Sequence, residues 1–110
     1  MAVNYKALEL KLRRIVEKRL REGWRVIPEE GSGELVNEET KSCCLVGAAG
    51  IEIGNTYSRT AIGMALGDEV DVFGLEDGFE GWSGTPDEDP FRVIGANIRR
   101  IYCDDNGQVE

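Results

Sequence analysis

The three cysteines are the residues of this chain best suited to act as nucleophiles or metal ligands. They are Cys43, Cys44 and Cys103, and the 110-residue chain contains no histidine. Without histidine neither a Ser–His nor a Cys–His pair can form, and three thiols cannot complete a four-ligand zinc site. The odd number and the adjacency of Cys43 and Cys44 disagree with a disulfide framework. We therefore expect buried, reduced thiols; activation of Cys44 by a helix N-terminus is the alternative.

Acidic residues are dense between positions 68 and 80, which suggests calcium binding or acid–base chemistry. A calcium loop of the EF-hand type needs acids at its first, third and fifth positions. Counting from Asp68 places valines at the third and fifth positions, and counting from Asp77 places Phe79 at the third. The glycines at 47 and 50 are not followed by the lysine of a phosphate-binding loop. The sequence thus predicts no metal site, no cofactor and no catalytic residue.

The segment from Leu75 to Trp82 combines two aromatic side chains with three acidic ones and contains two glycines. Loops of this composition often carry binding residues, and aromatic side chains are frequent anchors of protein interfaces. The alternative is that both aromatic side chains cover the edge of the core. We predict a partner-binding surface formed by these residues: Glu76, Asp77, Phe79, Glu80 and Trp82.

Charge is distributed unevenly along the chain, whose net charge is −8. Residues 1–25 contain eight of the 13 basic side chains and only three of the 21 acidic ones. The acidic remainder should repel nucleic acid and attract a basic protein partner. The N-terminus lacks the apolar core of a signal peptide, and no apolar run reaches the ~18 residues that a membrane helix needs. We therefore expect a cytoplasmic protein that binds neither nucleic acid nor membrane.

Periodic apolar residues and capping signals predict a single, mainly α domain of four to five short helices. The first helix is predicted over residues 4–22, where apolar residues recur every three or four positions and Asn4 is a suitable N-cap. Glu9–Arg13 and Glu17–Arg21 are spaced for ion pairs along this helix.

Residues 24–27 and 34–36 predict a small β-hairpin within residues 24–42. The run 43–53 is almost uncharged and is interpreted as a buried helix, with a buried strand as the alternative. The tail 104–110 should fray. The remaining helices are predicted in these ranges: 57–66, 68–78 with Asp68 as N-cap, and 89–102 with Asp89 as N-cap and Pro90 at the first helical position.

Four short motifs occur in a defined order along the chain. They are Trp24, Cys44-Leu45-Val46-Gly47-Ala48, Glu76-Asp77-Gly78-Phe79, and a last helical segment from Phe91 to Tyr102. This order resembles a loosely defined group of small bacterial and phage-type proteins of unknown function. Val46 departs from the group, in which leucine usually precedes the glycine. The resemblance implies an all-helical or nearly all-helical domain and supplies no activity.

These patterns favour a small, non-catalytic binding or regulatory protein with a protein partner, and they leave its oligomeric state open. The resemblance adds an accessory role in a phage or mobile element as an expectation. One alternative is an acidic inhibitor, such as an immunity or anti-defence protein, that blocks the nucleic-acid-binding surface of a basic partner. Another is a small enzyme that uses carboxylates around Asp77.

Overall fold

The computed structural model describes residues 4–28, 35–54, 58–67, 70–80 and 89–103. Helix accounts for 68% of the described residues, which confirms the mainly α fold. The predicted tail at 104–110 and residues 81–88 lie outside the described residues. Within the described ranges the elements are α1 (Tyr5–Arg21), β1 (Arg25–Val26), β2 (Val36–Asn37), β3 (Ser42–Cys43), α2 (Leu45–Glu52), α3 (Arg59–Leu66), α4 (Val72–Glu80) and α5 (Pro90–Tyr102).

Helix α1 begins where the capping signal predicts. The side chain of Asn4 accepts a hydrogen bond from the backbone N–H of Ala7 at 3.1 Å, which satisfies one of the N–H groups that a helix start leaves without a partner. The inner face buries Leu8, Leu12 and Val16, and Leu12 is only 1% exposed. Apolar residues at three- and four-residue steps are thus buried from Leu8 to Val16, as predicted, whereas Tyr5, one step earlier on the same predicted face, is 41% exposed.

The small sheet has β3 at its centre, which the sequence did not predict. Val26 of β1 pairs with Cys43 in parallel, and Val36 of β2 pairs with Cys43 in antiparallel orientation. Strands lie in the region predicted, and β2 and β3 form a small antiparallel hairpin there, but the predicted pairing of residues 24–27 with 34–36 is wrong, because the described strands of both segments bond to β3. The pairing places Val26 and Cys43, both fully buried, side by side under α1 and α2.

Helix α2 is the most deeply buried of the described helices, as its uncharged sequence predicts. Its residues from Leu45 to Gly50 are all buried, so that no face needs polar side chains. It begins two residues later than predicted, because Cys43 belongs to β3 and Cys44 is the N-cap. The Cys44 thiol accepts a hydrogen bond from the backbone N–H of Gly47 at 3.3 Å. All three cysteine thiols are buried, as predicted.

Helices α4 and α5 pack with their backbones in unusually close contact. A Cβ atom added to Gly78 would lie 2.1 Å from the carbonyl oxygen of Arg92, so only glycine fits there. Gly78 was predicted to end α4; it instead lies inside the helix, since its missing side chain admits α5. Asp68, the predicted N-cap, lies outside the described residues. The helix begins at Val72, and the carboxylate of Asp71 accepts a hydrogen bond from the N–H of Gly74 at 3.1 Å.

Helix α5 contributes the C-terminal part of the core. The Asp89 carboxylate accepts a hydrogen bond from the N–H of Phe91 at 2.9 Å, and Pro90 occupies the first turn, which confirms the predicted start. Ile94 and Ile98 are buried against the other helices. The largest fully buried side chains of the described residues join in one core: Phe79, Leu12, Leu45, Ile62, Leu75 and Ile98.

Candidate functional site

The residues predicted to bind a partner do not form one accessible surface. Phe79 has 0% exposure and is a central core residue, so it cannot contact a partner while the protein is folded. This corrects its assignment as an interface anchor, because the close packing of α5 on α4 covers the ring. Trp82, the second predicted anchor, lies outside the described residues.

Glu76 is also drawn into the fold. It is only 9% exposed, and both of its carboxylate oxygens accept hydrogen bonds from Nε of Arg59 at 3.0 Å. A carboxylate this buried needs a cationic partner to offset its lost hydration. The same hydrogen bond, more than any other contact, raises the pKa of Arg59 above its ordinary value. Glu76 therefore links α4 to α3 and does not present its charge to a partner.

Asp77 and Glu80 are the two predicted site residues that remain partly exposed. The carboxylate of Asp77 accepts a hydrogen bond from Nη2 of Arg92 on α5 at 3.3 Å. The pair joins α4 to α5, the two helices that pack most closely. The acidic patch expected in this region is therefore partly neutralised by the fold itself.

A groove of about 610 Å³ runs along α1 beside the face that packs on the core, and the core residue Ile15 reaches into its lining. The C-terminal end of α2 forms its far wall through Glu52. Apolar side chains form its floor, namely Ala7, Leu10 and Ile15, and basic side chains line it, namely Lys11, Arg14, Lys18 and Arg21. We call this surface the cationic groove.

The four basic side chains of the cationic groove follow the helical repeat. They are separated by three, four and three residues, which places them on one face of α1 in a row about 15 Å long. Leu10 lies beside this row and is 49% exposed, which is high for a leucine on a helix that also packs on the core. The groove thus combines a regular row of positive charge with an accessible apolar surface.

The acidic residues of α1 do not neutralise this row, because they contact α5. Glu9 accepts a hydrogen bond from the amide of Asn97 at 2.9 Å, and Glu17 accepts one from the hydroxyl of Tyr102 at 2.5 Å. Neither of the two ion pairs predicted along α1, Glu9–Arg13 and Glu17–Arg21, is formed. Within the described part of the chain, Lys11, Arg14 and Arg21 have no acidic partner.

Lys18 is the basic residue of the groove that has such a partner. Its Nζ lies 3.2 Å from the carboxylate of Glu52, which also lies 3.3 Å from Nη2 of Arg19. Arg19 is buried and contacts Glu22 as well, at 3.0 Å. Glu52 is therefore shared between two cations, and its single charge leaves most of the positive charge of the groove uncompensated.

Comparison of the chain with protein-family models, with curated proteins and with solved structures finds no match. The function must therefore be inferred from the groove and from the residues around it.

Carboxylates are few in the two cavities that the described residues line. The cationic groove contains one carboxylate, Glu52, which is held by two cations. A second cavity, of about 250 Å³ between α3 and α4, also contains one carboxylate, Asp71, which caps α4. Neither cavity brings together the carboxylate pair that acid–base catalysis would use. No group of three or more cysteine, aspartate or glutamate side chains in the described ranges is arranged to hold a metal ion.

No helix among the described residues has the length and apolar character needed to cross a membrane.

The cationic groove was not predicted from the sequence, although its signal is present there in the form of four basic residues at helical spacing. Those residues look like an ordinary solvated helix face until the partners of Glu9 and Glu17 are known.

Proposed function

We propose that this protein is a non-catalytic binding protein whose cationic groove takes an acidic segment of a partner protein. The observation that carries the proposal is the row of basic side chains beside exposed Leu10, most of which have no acidic partner within the described residues. Unpaired charge beside accessible apolar surface is the combination that protein interfaces use, with apolar contact for affinity and charge for orientation and association rate.

A protein partner suits the groove better than nucleic acid does. Phosphate contacts require positive charge but no apolar floor, and the net charge of −8 would repel a long polyanion. A membrane surface is disfavoured for a different reason. An interfacial helix inserts its apolar face into the lipid, and the apolar face of α1, with Leu8, Leu12 and Val16, is buried in the core.

Like the sequence prediction, this proposal makes the chain a binding protein, but the partner that it requires is acidic and not basic. A basic partner was expected to bind the residues around Glu76 and Phe79, and both of these side chains are buried. The phage or mobile-element role and the acidic-inhibitor alternative stay predictions, and the enzyme alternative lacks a carboxylate pair in the two cavities described above.

Affinity purification with matched variants tests the proposal. The groove variant carries Arg14→Gln and Arg21→Gln, and the control variant carries Arg25→Gln and Arg100→Gln, which are exposed on other surfaces. Both variants lose two positive charges. We expect an acidic protein from the native host that wild type and the control variant retain and the groove variant loses, with direct binding then measured on the purified pair. Equal recovery by all three proteins would contradict the proposal.

A further inference from the structure

The shape of the cationic groove restricts what kind of acidic segment can occupy it. The groove extends along α1 from Ala7 to Arg21, which is about 21 Å of helix. Its basic side chains repeat every three or four residues of α1, at intervals of about 4.5–6 Å. A second helix lying along α1 repeats its side chains at the same intervals. An extended segment repeats same-face side chains about every 6.8 Å and would fall out of register along the row.

The backbone of the occupant gives an independent argument. An extended segment gains affinity mainly when its main chain bonds to an open strand edge. The groove is lined by side chains, and the N–H and C=O groups of α1 beneath it are bonded within the helix except near its ends, so the groove offers no open strand edge. An extended segment would therefore bring its own N–H and C=O groups against Leu10 and Ala7 without partners, which is costly. A helix satisfies these groups internally.

We infer that the occupant of the cationic groove is an amphipathic α-helix of about four turns, with acidic residues at helical spacing beside a large apolar residue that covers Leu10. The inference rests on the proposed function, since it presupposes that an acidic protein segment binds this surface. The acidic side chains meet Lys11, Arg14 and Arg21, and the apolar residue removes the exposed part of Leu10 from water.

Two synthetic peptides of identical composition separate the inference from the proposed function. One places glutamate and leucine at helical spacing over about four turns. The other contains the same residues with glutamate and leucine in strict alternation, which has no amphipathic helical face. Fluorescence anisotropy measures the affinity of each labelled peptide for wild type, the groove variant and the control variant.

We expect the helical peptide to bind wild type at least about tenfold more tightly than the alternating peptide, and to lose about tenfold on the groove variant but not on the control variant. Equal binding of both peptides, with equal losses on the groove variant, would overturn the helix and leave the proposed function standing. Absence of binding by both, or equal affinity for all three proteins, would overturn both.

A second copy of this chain is the competing occupant, because most of its acidic side chains lie outside α1. Analytical ultracentrifugation of the protein without peptide decides this point. A monomeric wild type supports the inference. A dimer that the groove variant converts to monomer would overturn it, since the groove would then be filled by the protein itself.

Discussion

Helix α4 and the outer face of α1 both carry dense charge, but the charges of Glu76 and Asp77 on α4 are paired with neighbouring helices, whereas most of those on α1 are not. On α4, Glu76 and Asp77 are bonded to Arg59 and Arg92 on neighbouring helices, and the adjacent Phe79 is core. On α1, the basic row lies on a groove with a single shared carboxylate. Charge that has a partner inside the fold holds helices together, whereas charge without one remains available to another molecule. Charge density along the sequence does not distinguish the two cases.

The largest loss of stability is expected on α4, where the sequence predicts a partner-binding surface. Phe79→Ala should lower the free energy of unfolding by about 3–5 kcal/mol, because it removes a fully buried ring. Phe73→Ala is the matched control on the same helix. Phe73 is 62% exposed and its ring lies 5.8 Å from the guanidinium carbon of Arg59, so the cost should stay near or below about 1 kcal/mol. Urea denaturation measures both, and similar losses would refute the assignment of Phe79 to the core.

The two faces of α1 offer a second matched pair. Leu12→Ala should cost about 2–5 kcal/mol, since Leu12 is buried among the core helices. Leu10→Ala should cost below about 1 kcal/mol while weakening the binding of the helical peptide. Thermal melting and anisotropy on the same samples separate stability from affinity. A stable Leu10→Ala protein with unchanged affinity would remove Leu10 from the binding surface.

A third pair compares the two ion pairs of α4. Glu76→Gln should cost about 1–3 kcal/mol, because it leaves the Arg59 guanidinium facing a neutral group at a mostly buried position. Asp77→Asn should cost about 0–1 kcal/mol, because both members of the Asp77–Arg92 pair are more than one-third exposed. Guanidinium chloride is unsuitable here, since it screens charge, so the comparison requires urea. Equal costs would mean that burial of Glu76 contributes nothing.

The smallest expected effect on stability concerns the hydrogen bond that Tyr102 donates to Glu17, which holds Glu17 away from the groove. Burial, followed by the hydrogen bond to Glu17, raises the pKa of Tyr102 above its ordinary value of 10.0. The folded chain thus holds the phenolic proton more tightly than the unfolded chain. This stabilisation is complete below about pH 10 and is lost as the pH rises through the higher folded pKa.

The Tyr102→Phe variant removes this titration. Between about pH 9 and about pH 11, its urea midpoint should therefore fall less steeply than that of wild type. Parallel slopes for the two proteins would show that the environment of Tyr102 does not favour its protonated form.

Local signals in the sequence predicted much of the fold. Asn4 and Asp89 are N-caps as predicted, because a capping side chain bonds within its own first turn. The strand pairing was not predictable in this way, since β1 and β2 select their partner Cys43 through contacts distant in sequence. Gly78 was misassigned because the approach of α5, and not the propensity of glycine, decides its place.

The candidate site was less accessible to prediction than the fold. The spacing of Lys11, Arg14, Lys18 and Arg21 is visible in the sequence. Which of these side chains lack an acidic partner among the described residues depends on where the neighbouring acids point, and the sequence does not show that. The spacing also allows Glu17 to pair with Arg21, but Glu17 instead accepts a hydrogen bond from Tyr102, which is distant in sequence. The same limit explains Glu76, whose partner Arg59 lies on another helix.

Chemical-shift mapping of the helical acidic peptide on isotope-labelled protein tests the contrast between the two regions most directly. At saturation, the largest amide shifts should fall on α1 between Ala7 and Arg21 and at Glu52 on the facing end of α2. The amides of α4 from Glu76 to Glu80 should stay unchanged, because their charges are already bonded within the fold. Shifts confined to α4, or spread evenly over the chain, would contradict the assignment of the cationic groove as the binding surface.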